Sequence, residues 1–253
     1  MDASALKTLE TGGDVLSVDI AAKSFAAARG APVPVLKDLA FTLPAGRFTC
    51  MIGPSGCGKT TTLGILLGLD ADYAGTIDPA FARLRIGAVF QEPRLLPWRT
   101  AEDNVRLALP DAMASRDLAH LFEQVGLADF RHAFPAELSV GMARRAALAR
   151  AFAIEPEILI LDEPFVSLDE TTANRLRDRL AALLAERPAT VLMVTHNIRE
   201  AVRLADHLLI LSDRPAHCVA TVDIGLSPDN RTGEPAEAFI RKLENRHPGL
   251  VEL

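Results

Sequence analysis

Hydrophobic positions along the chain gather into short unbroken runs, separated by stretches where they recur every three or four residues. Unbroken runs predict strands buried on both faces, and the longer period predicts helices with one apolar side. Strands are expected at residues 15–20, 35–43, 47–52, 85–91, 158–161, 191–195, 208–211 and 218–222. Helices are expected at 59–69, 117–125, 141–153, 170–186 and 198–205. This alternation points to an α/β fold with a largely parallel sheet. Residues 1–40 read as antiparallel strands added at one edge. Residues 92–154 read as a helical insertion between two sheet-forming parts, 1–91 and 155–224. The tail, 225–253, holds one modest helix at 235–245 and no recognisable chemistry.

Composition narrows the class. A length of 253 residues is roughly 1.7 domains of about 150 residues, so one large domain with an insertion is expected. Hydrophobic residues make up 49% and charged residues 24%, which excludes a disordered, collagen-like or coiled-coil chain. The net charge of −6 carries no basic footprint for nucleic acid. No apolar run approaches the ~18 residues of a membrane span. Asp2, Lys7 and Glu10 interrupt the N-terminus, so no secretory signal is expected there. The cysteines Cys50, Cys57 and Cys218 are odd in number and lack C-x-x-C spacing. Neither a disulfide framework nor structural zinc is expected, and a reducing cytosol fits.

The chemistry begins at Gly53-Pro54-Ser55-Gly56-Cys57-Gly58-Lys59-Thr60. This is G-x-x-x-x-G-K-[ST], set between an apolar run and a helical pattern as a phosphate-binding loop requires. Its glycines let successive N–H groups turn inward around phosphate oxygens, and the helix N-terminus adds partial positive charge. Lys59 supplies a point charge to the β- and γ-phosphates, and the Thr60 hydroxyl can ligate Mg²⁺. Lysine is scarce, five against 22 arginines, so chance placement here is improbable. The bland alternative is a glycine turn before a helix.

Residues 158–163, Ile-Leu-Ile-Leu-Asp-Glu, form an apolar run ending in two carboxylates. Ligands of open parallel sheets bind beyond the carboxyl ends of the strands. Asp162 is therefore expected near the phosphate loop, holding Mg²⁺ directly or through water. Glu163 is expected to accept a proton from an attacking water, or to orient it. An acidic turn capping the next helix is the bland alternative.

With these residues in place the chain resembles the nucleotide-binding subunit of ATP-binding cassette (ABC) transporters over nearly its whole length. Further landmarks stand in that family's order. Gln91 matches the Q-loop glutamine. Leu138-Ser139-Val140-Gly141-Met142 occupies the place of the signature motif, before an arginine-rich helix. Ser167-Leu168-Asp169 resembles the D-loop, His196 the switch histidine, and Phe25 stands where an aromatic stacks on adenine. The resemblance implies a P-loop NTPase: a RecA-like parallel core with an antiparallel β edge and a helical insertion. It implies ATP and Mg²⁺ as cofactors, with the nucleotide contacted from Gly53 through Thr61. Head-to-tail dimers would place Ser139 and Gly141 on the partner's γ-phosphate, with Asp169 bridging the subunits. Gln91 would reach Mg²⁺ or the attacking water, and His196 would bond the γ-phosphate and position water beside Glu163.

Each of these has a plainer alternative. Ser139 is also an ordinary helix N-cap, Gln91 a solvated amide, Phe25 a core residue and Asp169 an exposed loop carboxylate. Val140 replaces the family's usual glycine. A β-branched residue resists positive φ and adds bulk near the nucleotide, so dimer closure is expected to be affected. The string Phe90-Gln-Glu-Pro-Arg-Leu-Leu-Pro-Trp-Arg99 resembles importers of the nitrate, sulfonate and taurine type, with Trp98 expected at a membrane partner. That branch implies permease subunits, indirectly a substrate-binding protein, and a peripheral place on the cytoplasmic face of the inner membrane. A soluble ABC ATPase acting on ribosomes or DNA, a catalytically weak regulatory subunit and a P-loop kinase are the competing classes.

Overall fold

A computed structural model describes residues 15–27 and 30–249. The reading of the N-terminus through Asp2, Lys7 and Glu10 lies outside the described residues.

Two sheets form. β1 (Val15–Phe25), β2 (Val33–Pro44) and β4 (Ala74–Ile77) pair antiparallel in the order β2-β1-β4. Along β1, Leu16, Val18 and Ile20 turn to the core at every second residue, as in a half-buried strand. The second sheet holds β3 (Phe48–Ile52), β5 (Ile86–Val89), β6 (Ile158–Asp162), β7 (Thr190–Val194), β8 (His207–Leu211) and β9 (Cys218–Asp223). Its order is β5-β6-β7-β3-β8-β9, parallel except for β9. Every residue of β6 and β7 is buried, which explains why neither shows polar alternation. The antiparallel strands form a sheet of their own, touching the larger one through a bridge between Leu36 and Ala216.

Helix α1 (Lys59–Leu66) lies between the sheets. Its Leu63, Ile65 and Leu66 pack with Leu36 and Leu39 of the first sheet and Met51 and Ile160 of the second. The other face of the large sheet, including Leu159, Leu161, Val191 and Met193, is covered by the remaining helices. These are α2 (Ala101–Arg106), α3 (Ala119–Gln124), α4 (Val140–Ala153), α5 (Glu170–Glu186), α6 (Ile198–Leu204) and α7 (Gly233–Arg246). Among the described residues, 92–154 contain α2, α3 and α4 and no strand.

Register positions the chemistry. Val89 stands opposite Leu161, Asp162 opposite Val194, and Val194 opposite Met51. The four neighbouring strands therefore end level, and the loops leaving them emerge on one rim. The strand expected at 85–91 stops at Val89, which leaves Gln91 past its end. β7 likewise stops at Val194, two residues before His196. Two elements escaped the hydrophobic pattern. α2 is six residues long and is set by a capping box between Thr100 and Asp103, not by periodicity. β4 is four residues, three of them exposed.

Phe152 is fully buried on α4 against the large sheet. Phe152→Ala is expected to lower stability by about 3–5 kcal/mol, read by chemical denaturation.

Candidate active site

The loop after β3 climbs from Gly53 to Gly58 and opens directly into α1. Gly58 is the N-cap at φ 133°, in the region that favours glycine. A Cβ there would stand 2.6 Å from Leu36 Cδ2, so β2 presses directly against the loop. No side chain caps α1, and its first turn holds no acidic residue. The free N–H groups and the positive end of the helix dipole therefore face outward, as an anion requires. The Lys59 ammonium donates to the carbonyls of Gly53 at 2.6 Å and Pro54 at 2.9 Å. Ser55 and Gly56 are exposed, Cys57 is buried and Thr61 is half-buried. Burial pushes the Cys57 thiol up, away from the reactive thiolate.

Thr60 joins the loop to β6: its hydroxyl donates to Asp162 Oδ1 at 3.4 Å. Asp162 is buried. Burial first, and the neighbouring Glu163 charge second, raise its pKa, against the Thr60 hydrogen bond and the positive charges of Arg94 and Lys59. A hydroxyl and a carboxylate beside a phosphate cradle suit Mg²⁺, which takes few protein oxygens and completes its shell with phosphate and water. Among the described residues there is no cluster of His, Cys, Asp and Glu that would hold a metal without a nucleotide.

Glu163 follows at φ 46°, left-handed for a residue with a side chain. Its N–H donates to Val194 O at 2.9 Å, which ties the turn to the end of β7. His196, past that end, brings Nδ1 to 3.3 Å from Glu163 Oε1. The pair arises because β6 and β7 are neighbours. Around it, Thr195 donates to Glu200, and Glu200 accepts from the buried Arg177, whose guanidinium lies 5.1 Å from the Phe165 ring centre.

The remaining expected residues fall in separate places. Gln91 is exposed just past β5. Phe25, 45% exposed, ends β1 opposite Val33, and the Lys23 ammonium sits 4.7 Å over its ring. Ser139, Gly141 and Asp169 gather elsewhere, in a surface depression of about 320 Å³ shared with Ser167, Thr172 and Arg175. Ser139 accepts from Met142 N at 3.2 Å and caps α4; Asp169 accepts from Thr172 N at 3.0 Å and caps α5. Gly141 permits a close approach, since a Cβ there would lie 2.6 Å from Thr172 Cγ2. One expectation is corrected. Val140 is the first residue of α4 and is absent from the positive-φ residues, so it carries no backbone strain. Its side chain is 61% exposed and adds bulk to this surface.

Three arginines of α4 escaped sequence reading. Arg144 donates to Pro164 O at 2.7 Å, Arg145 to Gly126 O at 2.8 Å, and Arg150 to Pro93 O and Arg94 O, both at 2.8 Å. All three point to backbone carbonyls, and burial lowers the pKa of each. Arg94 stands at φ 48° with its guanidinium 4.0 Å from the Phe90 ring centre. A left-handed residue costs roughly 1–3 kcal/mol, and a charged hydrogen bond returns about 1.5–3 kcal/mol. Arg150 thus offsets part of the cost of this turn. The readable signal was the absence of any acidic residue from α4, because a solvated arginine face normally carries i,i+4 partners.

The chain is similar to known proteins over most of its length. The family model described as ABC transporter matches residues 36–166. The aliphatic sulfonates import ATP-binding protein SsuB 1 of Pseudomonas savastanoi pv. phaseolicola is 38% identical over 207 residues, covering 82% of this chain and 86% of that protein. Its counterpart from Bacillus thuringiensis subsp. konkukian is 36% identical over 247 residues, covering 94% and 98%. Among solved structures, a dimeric bacterial ABC transporter cassette superposes with a TM-score of 0.71 at 27% identity, covering 85% of this chain and all of that one. A dimeric post-hydrolysis cassette bound to ADP and Pi gives 0.70 at 26%, with the same coverage.

Because the pKa of Asp162 is raised, the folded chain holds that proton more tightly than the unfolded chain. The contribution to stability is complete below the ordinary value of 3.8 and is lost as pH rises through the folded value. Asp162→Asn is therefore expected to raise the nucleotide-free melting temperature at pH 7. The gap should close toward pH 4 in a thermal series, while Mg²⁺-dependent hydrolysis is abolished.

Proposed function

The chain belongs to the ABC transporter family and is an ATPase of that family, and from that premise we propose that it powers an importer of sulfonates or related small organic anions. The observation that carries the reaction is the rim itself: Lys59, the Thr60–Asp162 pair and the Glu163–His196 pair on neighbouring strand ends. In this reading the loop N–H groups and Lys59 hold the β- and γ-phosphates. Thr60, Asp162 and Gln91 hold Mg²⁺, which would supply charge neutralisation when bound. Phe25 offers the exposed face of its ring to the adenine. A water placed in line attacks the γ-phosphorus, the bond to the bridging oxygen of ADP breaks, and Glu163 accepts the water's proton. His196 fixes the Glu163 carboxylate and reaches the γ-phosphate.

The depression at Ser139, Gly141 and Asp169 suits a second copy packed head to tail, with Ser139 and the α4 N-terminus on that copy's γ-phosphate. The two dimeric cassettes among the solved structures support this reading. Trp98, 69% exposed and next to the exposed Arg99, is an anchor for the membrane permease. No helix among the described residues is long and apolar enough to cross a membrane. The chain would then lie peripherally on the cytoplasmic face, against permease subunits that receive substrate from a binding protein.

Glu163→Gln is expected to accumulate an ATP-bound dimer on size exclusion, with hydrolysis reduced at least 100-fold. Full turnover would remove Glu163 from its role. Tagged protein drawn from its native membranes should carry a polytopic permease, and Trp98→Ala should weaken that capture. Ribosomal or DNA-repair proteins in its place would move the ATPase to a soluble role.

A further inference from the structure

Arg144 is a buried cation, 6% exposed, and its one hydrogen bond among the described residues runs from Nη1 to Pro164 O at 2.7 Å. Its Nε is buried without a partner among the described residues. An arginine that served only to fill space between α4 and the sheet would be expected to give way to an apolar side chain, since burying a guanidinium is costly without a specific contact. The contact it makes is specific in place. Pro164 comes directly after Glu163, whose left-handed backbone is pinned on its other side by the bond from its own N–H to Val194 O. Arg144 thus closes the second half of a clamp on the residue that carries the reactive carboxylate.

The other end of the lever is α4 itself. Arg144 lies one helical turn from Gly141, in the helix that Ser139 caps. A rigid turn of helix therefore separates the surface that would meet a partner's nucleotide from the group that fixes Glu163. We propose that Arg144 is a positioning residue for Glu163, and that through it contact of Ser139 with the partner's γ-phosphate is felt at this chain's own carboxylate. The second half rests on the proposed head-to-tail dimer. The two ATP sites of such a dimer are then linked by a strut inside each chain, running from the signature turn to the catalytic turn.

The test uses the full chain and ATP with Mg²⁺. Arg144→Met keeps an unbranched apolar stem and removes the donors; Arg144→Lys keeps the charge and a donor. With wild type showing a Hill coefficient above 1 for ATP, Arg144→Met is expected to lower kcat at least tenfold. KM should change by less than twofold, and the Hill coefficient should fall toward 1. Arg144→Lys should lie between the two. In a Glu163→Gln background, Arg144→Met should still form the ATP-bound dimer, because Arg144 touches no nucleotide. Wild-type kcat and Hill coefficient in a cooperatively melting Arg144→Met overturn the proposal. So does a lysine variant as slow as the methionine one, or a loss that falls equally on KM and on dimer formation, as plain misfolding would give. Should Arg144→Met not fold, a lysine variant with wild-type kcat and Hill coefficient overturns it equally. A Glu163→Gln chain that stays monomeric in ATP defeats the dimer reading and the link between sites, while the kcat of Arg144→Met still decides the positioning role.

Discussion

The level ending of β5, β6, β7 and β3 is the constraint on which the rest of the molecule depends. Each strand is parallel to its neighbour, and the inner ones are buried on both faces, so core packing on either side fixes their register. A slip of one residue in β6 would turn Asp162 to the opposite face and take its carboxylate away from Thr60. The same slip would move Glu163 off the end of β7 and separate it from His196. Groups that lie far apart in the chain become chemistry because the hydrophobic core allows one alignment.

Around that rim, α4 is the element that gathers the loops. Alanine, arginine, leucine and methionine make it a strong helix. Its alanines let it sit close to β5 while its arginines reach past the packing. Among the described residues none of Arg144, Arg145 and Arg150 meets a carboxylate; each satisfies carbonyls of a loop that has no regular structure of its own. The segment after Gln91 and the turn after Glu163 are thus both held by one helix. Irregular backbone beside the candidate site is tied to a regular element.

Much of this was legible in the chain. The phosphate loop could be read because few other purposes need that glycine spacing before a scarce lysine. The acidic pair could be read because it ends an apolar run. The meeting of Glu163 with His196 could not be read from spacing, because it depends on which strands are neighbours. α2 and β4 were too short for their periodicity to register. The expectation of strain at Val140 assumed that the residue sits in the turn before the helix. Ser139 is the N-cap, so Val140 has already entered α4, where a β-branched residue has ordinary dihedrals. The roles of the α4 arginines could not be read, because side-chain burial is not written in residue type.

The contact between Gly141 and Thr172 carries a consequence for how such a chain can vary. The first turn of α4 and the first turn of α5 meet where a single methyl group would collide. Thr172 is also the residue whose N–H is capped by Asp169. The two surface motifs therefore interlock like adjoining tiles: neither outline can be redrawn without recutting the other. A replacement for the Ser139–Gly141 turn that put a side chain at 141 would have to bring a matching α5 corner with it.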